Sequence, residues 1–191
     1  MARAFIALAI PAKVQQRLSE EADRLRLTGA EVAWVRPDNY HLTLRFLGEI
    51  EDEEMLVLDP MLREIASQRS ALRLVAKGLG TFDDRKTGKP RAVWCGAELA
   101  DGGDGLMGLR GAIERGLASA GYRRDKSAFE PHLTLGRVRG DRNLEVMLER
   151  IGPAVRREFA HFTVGEMVLF ESAQGPSGTC YEPLQVFPFS G

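Results

Sequence analysis

The spacing of apolar residues along the chain changes repeatedly between the period of a helix and that of a strand. Val14, Leu18, Ala22 and Leu25 recur three or four residues apart with charged residues between them, which is typical of an amphipathic helix. Three further segments have the same spacing. The predicted helices run from Pro11 to Gly29 and over residues 51–68, 106–120 and 143–152.

Two residues add detail to these helices. Pro60 lies inside the second helix and predicts a kink or a break, because its ring removes one backbone hydrogen bond. Asn143 precedes the fourth helix and is a candidate for its N-cap.

Shorter apolar runs predict strands. They cover residues 3–10, 32–35, 41–48, 72–79, 92–99, 131–138, 159–164, 166–170 and 181–187. Glycine-containing polar segments predict an exposed loop over residues 81–91 and a turn over residues 175–178. The order strand, helix, strand, strand, helix is then roughly repeated. This indicates an internal duplication within one two-lobed unit, because each half alone would be marginally stable.

One motif, His-Leu-Thr-Leu, occurs at residues 41–44 and again 91 positions later, and it contains two of the three histidines. Because side chains alternate along a strand, His41 and Thr43 share one face and the leucines share the other. His132 and Thr134 repeat this arrangement. Two such strands facing one cleft would bring two imidazoles and two hydroxyls together. That set could bind a phosphoryl group and move protons on both sides of it.

A metal site is the main alternative for two histidines. Such a site usually needs a third protein ligand, and no Cys, Asp or Glu stands near the motifs at a ligand spacing. Threonine hydroxyls are poor zinc ligands, but they donate hydrogen bonds to phosphate oxygens. The sequence therefore favours a phosphate site that uses no metal and no other cofactor.

Composition and charge restrict the class of protein, its partners and its cellular compartment. The 191 residues are 44% hydrophobic and 28% charged, as in an ordinary soluble globular protein. A net charge of −1 provides no global basic field for long nucleic acid, so an RNA would bind a local patch or by one end. Cys95 and Cys180 form no disulfide framework, which favours a reducing cytoplasm. The apolar start, residues 1–11, is too short for a membrane anchor and lacks a signal-peptide cleavage site.

Five stretches extend the two motifs over almost the whole chain: RAFIALAIP, VAWVRPDNYHLTLRFLGEI, KPRAVWCG, AFEPHLTLGRV and YEPLQVFPF. With the paired motifs they resemble the two-histidine (2H) phosphoesterases. Within these the chain is most similar to the RNA 2′,3′-cyclic phosphodiesterases, formerly described as 2′–5′ RNA ligases. The resemblance implies an α+β fold in which residues 1–191 form a single bilobal domain. A pseudo-two-fold axis would relate two antiparallel sheets that line a central cleft, with helices outside.

The resemblance also implies roles for the motif residues. His132 would be the proton acceptor for an attacking water, and His41 would be the proton donor to the leaving 3′ oxygen. Thr43, Thr134 and Arg137 would bind the nonbridging phosphate oxygens. The two motifs are nearly identical, so the residues alone do not assign acid and base.

Strand alternation gives a different picture of the arginines. It would place Arg137 on the leucine face, although Gly136 permits a bulge that could return Arg137 to the cleft. Arg45 is in phase with His41, so it is a candidate counterpart from the first lobe, with a role at the rim equally open. Phe46 is out of phase and is expected in the core.

Several other residues have open interpretations. Trp34, Tyr40, Tyr122 and Phe129 could stack on a base, although structural packing is the default for each. Arg85, Lys86, Lys89 and Arg91 are either an RNA-contacting patch or a solvated loop. His161 is expected to be structural or exposed, and Cys95, without a nearby histidine, is not expected to be a nucleophile.

The expected function is hydrolysis of 2′,3′-cyclic phosphate ends of RNA or nucleotides to 2′-phosphates, by two histidines and without metal. The alternatives are the reverse reaction, 2′–5′ ligation of RNA ends, and a protein that binds RNA ends or nucleotides without turnover. The expected partners are these RNA or nucleotide ends, with no membrane. A cytoplasmic monomer is expected.

Overall fold

The structure, a computed structural model, describes residues 2–175 and 178–191. Over those residues it has nine strands and four α-helices. The strands are β1 (Ala2–Ala9), β2 (Val32–Trp34), β3 (His41–Ile50), β4 (Leu72–Asp83), β5 (Pro90–Leu99), β6 (His132–Val138), β7 (Glu158–Val164), β8 (Glu166–Gly175) and β9 (Gly178–Pro188). The helices are α1 (Ala12–Arg26), α2 (Asp52–Ser67), α3 (Gly105–Ser119) and α4 (Leu144–Ile151).

The fold is α+β, with a curled antiparallel sheet. The strand order is β7-β4-β5-β6-β3-β1-β8-β9, and β2 adds to β6 beside β3. Between β3 and β6 the described pairing is a single residue pair, Leu42 with Leu133. The prediction of two separate sheets is therefore not confirmed. Two four-stranded halves, each containing one motif strand, are hydrogen-bonded into one sheet.

One hydrophobic core lies between the helices and one face of this sheet. From β1 it takes Ile6 and Leu8, and from the motif strands it takes the motif leucines. The predicted periodicity of α1 is confirmed, because Val14, Leu18, Ala22 and Leu25 are its buried apolar positions. Burial of this apolar surface is the main force that holds the helices against the sheet. The opposite face of the sheet is left for the histidines.

Helix α2 continues through Pro60 without the predicted break. Pro60 is exposed, so the carbonyl group that loses its hydrogen bond lies on the solvent side, where water can satisfy it. Asn143 precedes α4 as predicted, but it does not cap the helix with its side chain. Its Nδ2 donates instead to the Thr28 carbonyl oxygen at 3.0 Å.

The polar loop predicted over residues 81–91 is shorter than expected. Thr81 and Phe82 pair with Val93 and Ala92, so both strands of the β4–β5 hairpin extend into it. Asp84 closes what remains by accepting backbone hydrogen bonds from residues 86 and 87, each at 2.9 Å. The predicted turn at 175–178 lies partly outside the described residues.

Candidate active site

The two motifs lie side by side where β3 meets β6. Residues that pair across antiparallel strands point to the same face, and opposite Cβ atoms lie about 4.5–5.5 Å apart. Leu42 and Leu133 form such a pair and are fully buried on the helix side. By alternation, the histidine and threonine of each motif lie together on the other face. Alternation alone therefore brings four of the five predicted site residues together on this face, which is called the cleft face below: His41, Thr43, His132 and Thr134.

Each imidazole is held by the carbonyl group two residues before it. His41 Nδ1 lies 2.8 Å from the Asn39 carbonyl oxygen, and His132 Nδ1 lies 2.6 Å from that of Glu130. A carbonyl oxygen only accepts, so each Nδ1 carries the proton and donates it. Each Nε2 then has a lone pair in the neutral ring and a proton in the imidazolium. Either ring can therefore act as base or acid through Nε2.

Aromatic rings surround both imidazoles. The His41 ring lies 4.8 Å from Phe5 and 4.9 Å, edge to face, from Tyr181. The His132 ring lies 4.7 Å from Phe82, which in turn packs on Trp94. These rings remove water from the imidazoles and so disfavour their charged forms.

The pKa of both histidines is lowered. Burial lowers the pKa of His41 to about 4, against the opposing effect of its hydrogen bond to Asn39; the charges of His132 and Arg137 lower it further. Burial is also the main cause of the lowered pKa of His132, opposed by Glu130 and reinforced by the charges of Arg137 and Arg91. At neutral pH the substrate-free cleft therefore holds two neutral imidazoles beside fixed positive charge.

Arg137 lies on the cleft face because β6 contains a bulge. Thr134 pairs with Trp94 and Gly136 pairs with Val93, so one extra residue is inserted between them. Val93 is buried in the core, which puts Gly136 on the helix side and Arg137 on the face of the histidines. This is the bulge that the glycine permitted. The guanidinium of Arg137 forms no ion pair with any carboxylate in residues 2–175 or 178–191.

The motif strand β3 contains an equivalent bulge, and there the alternation prediction is wrong. Thr43 pairs with Ala7 but Arg45 pairs with Ile6, a core residue, so Arg45 points to the helix side. Phe46 follows on the cleft face, where it is 62% exposed and its ring lies 5.8 Å from that of Phe5. Phe46, not Arg45, is thus the counterpart of Arg137. The cleft has a cation on one side and an aromatic ring on the other.

The four aromatic residues named from the sequence have structural contacts instead. Tyr40 is buried in the core. Trp34 packs against the core, and the Arg26 guanidinium lies over the Trp34 ring. The Tyr122 hydroxyl donates to Glu54 at 2.5 Å, and Arg110 covers Phe129. The aromatic residues of the cleft were missed: Phe5, Phe46, Phe82, Trp94, Phe170 and Tyr181. These residues come from strands that are distant in sequence, so no local sequence pattern predicts that their side chains meet on one face.

The remaining candidates fall outside the cleft or at its edge. Lys89 forms an ion pair with Asp141, whereas Arg91 is close enough to His132 to lower its pKa. His161 is exposed, as expected. Burial raises the pKa of Cys95 to about 12, so it is not an activated nucleophile.

No group of three or more His, Cys, Asp and Glu side chains that could hold a metal ion occurs among the described residues. A groove of about 620 Å³ beside α1 contains neither motif, and its charged lining is three carboxylates, Glu20, Asp23 and Asp38, against one guanidinium, Arg36. Its acidic lining does not suit a phosphate. None of the helices described is long and apolar enough to cross a membrane.

Comparison with known proteins identifies the family of the chain. The model of the family described as LigT like Phosphoesterase matches residues 8–94 and 99–181. The chain belongs to this family. Two similar proteins are named RNA 2′,3′-cyclic phosphodiesterase. The protein of Aeropyrum pernix is 32% identical over 88% of this chain and 92% of its own, and that of Archaeoglobus fulgidus is 31% identical over 97% and 99%.

A similar fold occurs in the crystal structure of the protein TT0787 from Thermus thermophilus. It is 26% identical to this chain, with a TM-score of 0.79 over 99% of this chain and 98% of that one.

Proposed function

We propose that this LigT-like phosphoesterase hydrolyses 2′,3′-cyclic phosphate ends of RNA or nucleotides to 2′-phosphates. The observation that carries the proposal is the pair of imidazoles on one sheet face, each with Nδ1 bound to a carbonyl oxygen and Nε2 left for the cleft. The names of the Aeropyrum and Archaeoglobus relatives support the choice of substrate. We further propose that residues 1–191 act as one bilobal, monomeric domain in the cytoplasm.

The reaction needs two proton transfers on opposite sides of phosphorus. In the proposed mechanism, His132 Nε2 accepts a proton from water as the water oxygen bonds to phosphorus. The bond from phosphorus to the 3′ oxygen breaks, and His41 Nε2 donates a proton to that oxygen. Thr43, Thr134 and Arg137 bind the nonbridging oxygens and stabilise the charge that develops on them.

The lowered pKa of His41 sets a condition on this assignment. An imidazole with a pKa of about 4 is neutral in the empty cleft at pH 7, so it is not a ready donor. The cyclic phosphate carries one negative charge, which favours the imidazolium and opposes the effect of Arg137. We infer that the donor acquires its proton together with the anionic substrate.

Metal independence is part of the proposal and is supported by the donor set. The cleft offers imidazoles and hydroxyls without a carboxylate ligand among the described residues, and the charge of Arg137 beside them repels a divalent cation. We expect purified protein to convert 2′,3′-cyclic AMP into 2′-AMP in the presence of EDTA, as measured by chromatography against 2′-AMP and 3′-AMP standards.

The folded His132→Ala protein, prepared in parallel, controls for contaminating nucleases. Absence of turnover would favour a non-catalytic binding protein, and 3′-AMP as product would reverse the proposed leaving group. Loss of activity with EDTA that zinc or manganese restores would overturn metal independence.

Phe46 is proposed to stack on the terminal nucleobase. Phe46 is exposed on the histidine face, and its ring packs against that of Phe5. Stacking on an aromatic side chain contributes about 1–3 kcal/mol per base. We expect Phe46→Ala to raise KM for 2′,3′-cyclic AMP about ten-fold, a change within that range, while kcat changes little.

Three variants separate stacking from mere apolar contact. Phe46→Trp should keep a low KM, because it keeps an aromatic face, whereas Phe46→Leu should behave like Phe46→Ala. Leu56→Ala is a control, since Leu56 is a 77% exposed apolar residue on α2. Equal KM values for Phe46→Ala and the unmodified protein would exclude the base contact.

A further inference from the structure

The segment that leads to each motif is fastened to the strand of the other motif. Before the first motif, β2 pairs with the end of β6, with Val32 opposite Val138 and Trp34 opposite Gly136. The Val35 amide continues the ladder by donating to the carbonyl oxygen of residue 135 at 2.9 Å. A Cβ on Gly136 would lie 2.5 Å from Val32 Cγ1, so only glycine allows this approach. Backbone pairing thus fixes the approach to the first histidine.

The corresponding segment before the second motif, residues 120–131, contains no strand, although the structure describes all of it. A side chain from β3 binds it instead. Arg45 Nη2 donates to the Arg123 carbonyl oxygen at 2.5 Å, and Nη1 donates to that of Phe46 at 2.6 Å. Arg45 Nε lies 2.7 Å from Glu114 Oε1, in an ion pair rather than a well-aligned hydrogen bond. Its side chain is only 14% exposed.

Helix α3 extends this contact further into the segment. Glu114 Oε2 accepts a hydrogen bond from the Asp125 amide at 3.1 Å, and Arg110 Nη2 donates to Asp125 Oδ2 at 3.0 Å. Arg110 and Glu114 also form an ion pair with each other. The segment then reaches Glu130, whose carbonyl oxygen holds Nδ1 of His132. Contacts from β3 and α3 therefore hold residues 123–125, and the backbone continues from there to the carbonyl group that orients the second histidine.

The motif offset of 91 residues relates Arg45 to Gly136 and Asn39 to Glu130. The segment before the first motif is held by a backbone ladder that requires Gly136, whereas the segment before the second motif is bound by the guanidinium of Arg45. We propose that Arg45 is a positioning residue: from the strand of His41 it fixes residues 120–131, and thereby the orientation of His132. Charge-assisted hydrogen bonds of a largely buried guanidinium are strong enough for this role. The effect on catalysis rests on the proposed function, whereas the effect on His132 does not.

The test is Arg45→Met, which keeps the apolar stem and removes the guanidinium. In 15N-histidine-labelled protein without substrate, we expect the His132 ring nitrogen signals to lose the pattern of a fixed Nδ1–H tautomer. Signals of His41 and His161 serve as internal references and should stay unchanged. With 2′,3′-cyclic AMP, kcat should fall about 10- to 100-fold with KM little changed, because small misplacements of reacting groups have effects of this size.

Arg63→Met is the matched control, since Arg63 also pairs with a carboxylate, Asp59, but on the surface of α2. Arg45→Lys keeps a charge but cannot reach three partners at once. It should show a smaller His132 change, and it tests the proposal if Arg45→Met does not fold. Unchanged His132 signals in a folded Arg45 variant would overturn the proposal, as would equal changes at His41. These signals decide the question even if the protein turns over no cyclic phosphate.

Discussion

Replacing His41 or His132 by alanine is expected to lower kcat for 2′,3′-cyclic AMP by about 10²- to 10⁴-fold, the usual contribution of one general acid or base. Each imidazole transfers one proton in the proposed mechanism, so the loss of either leaves one transfer to bulk water. Both proteins should remain folded, because the histidines lie on the cleft face and the motif leucines, which anchor the strands, are retained.

The measurements are steady-state kinetics together with circular dichroism of each variant. His161→Ala is the control, since His161 is exposed and lies outside the motifs. His41→Asn should be compared with His41→Ala, because the His41 ring packs on Phe5 and a smaller residue also loses that contact. Near-normal turnover by a folded variant of either motif histidine would refute the two-histidine mechanism.

The second large effect is expected for Arg137→Ala. Loss of one hydrogen bond to a charged group costs about 1.5–3 kcal/mol, so kcat/KM should fall about 10- to 150-fold. The pH profile of kcat/KM should also move. The charge of Arg137 lowers the pKa of both histidines, so its removal raises both. The acid limb, where the base becomes neutral, and the alkaline limb, where the acid loses its proton, should both shift to higher pH.

In the unmodified protein the same reasoning predicts a bell-shaped kcat/KM profile with its maximum on the acidic side of neutrality, because burial lowers the pKa of both groups. The two limbs belong to the coupled pair and not to named residues. Arg150→Ala, on the surface of α4, is a charge-matched control that should leave the profile in place. An Arg137→Ala enzyme with unaltered kcat/KM and limbs would remove Arg137 from the phosphate site.

The motif strands show how far the sequence predicts this site. The period of two in His-Leu-Thr-Leu was sufficient to place His41 and His132 on one face, because buried leucines fix the register. One residue later the same rule failed, because a bulge follows Thr43. Gly136 signalled the equivalent bulge in β6. No such residue marks the bulge in β3, so Arg45 and Phe46 were each assigned to the wrong face.

Other differences arise from tertiary contacts that leave no local pattern. Asn143 is a good N-cap by residue type, but the Thr28 carbonyl oxygen takes its side chain. The local sequence predicts a loop at Thr81 and Phe82, but both residues extend β4 because they pair with Val93 and Ala92 of β5. The helices were predictable because their apolar stripes repeat within the segment itself, whereas the aromatic lining of the cleft is assembled from strands far apart in sequence.

The position of β1 has a consequence for how the chain acquires its structure. β1 lies between β3 and β8, and Phe5 pairs with Phe170 across most of the sequence. During synthesis one edge of β1 therefore stays open until nearly all later residues have left the ribosome. The half of the sheet that contains His41 is therefore complete only after β8 and β9 have been synthesised. The slow, non-local pairing of β1 with β8 is expected to be among the late events of folding.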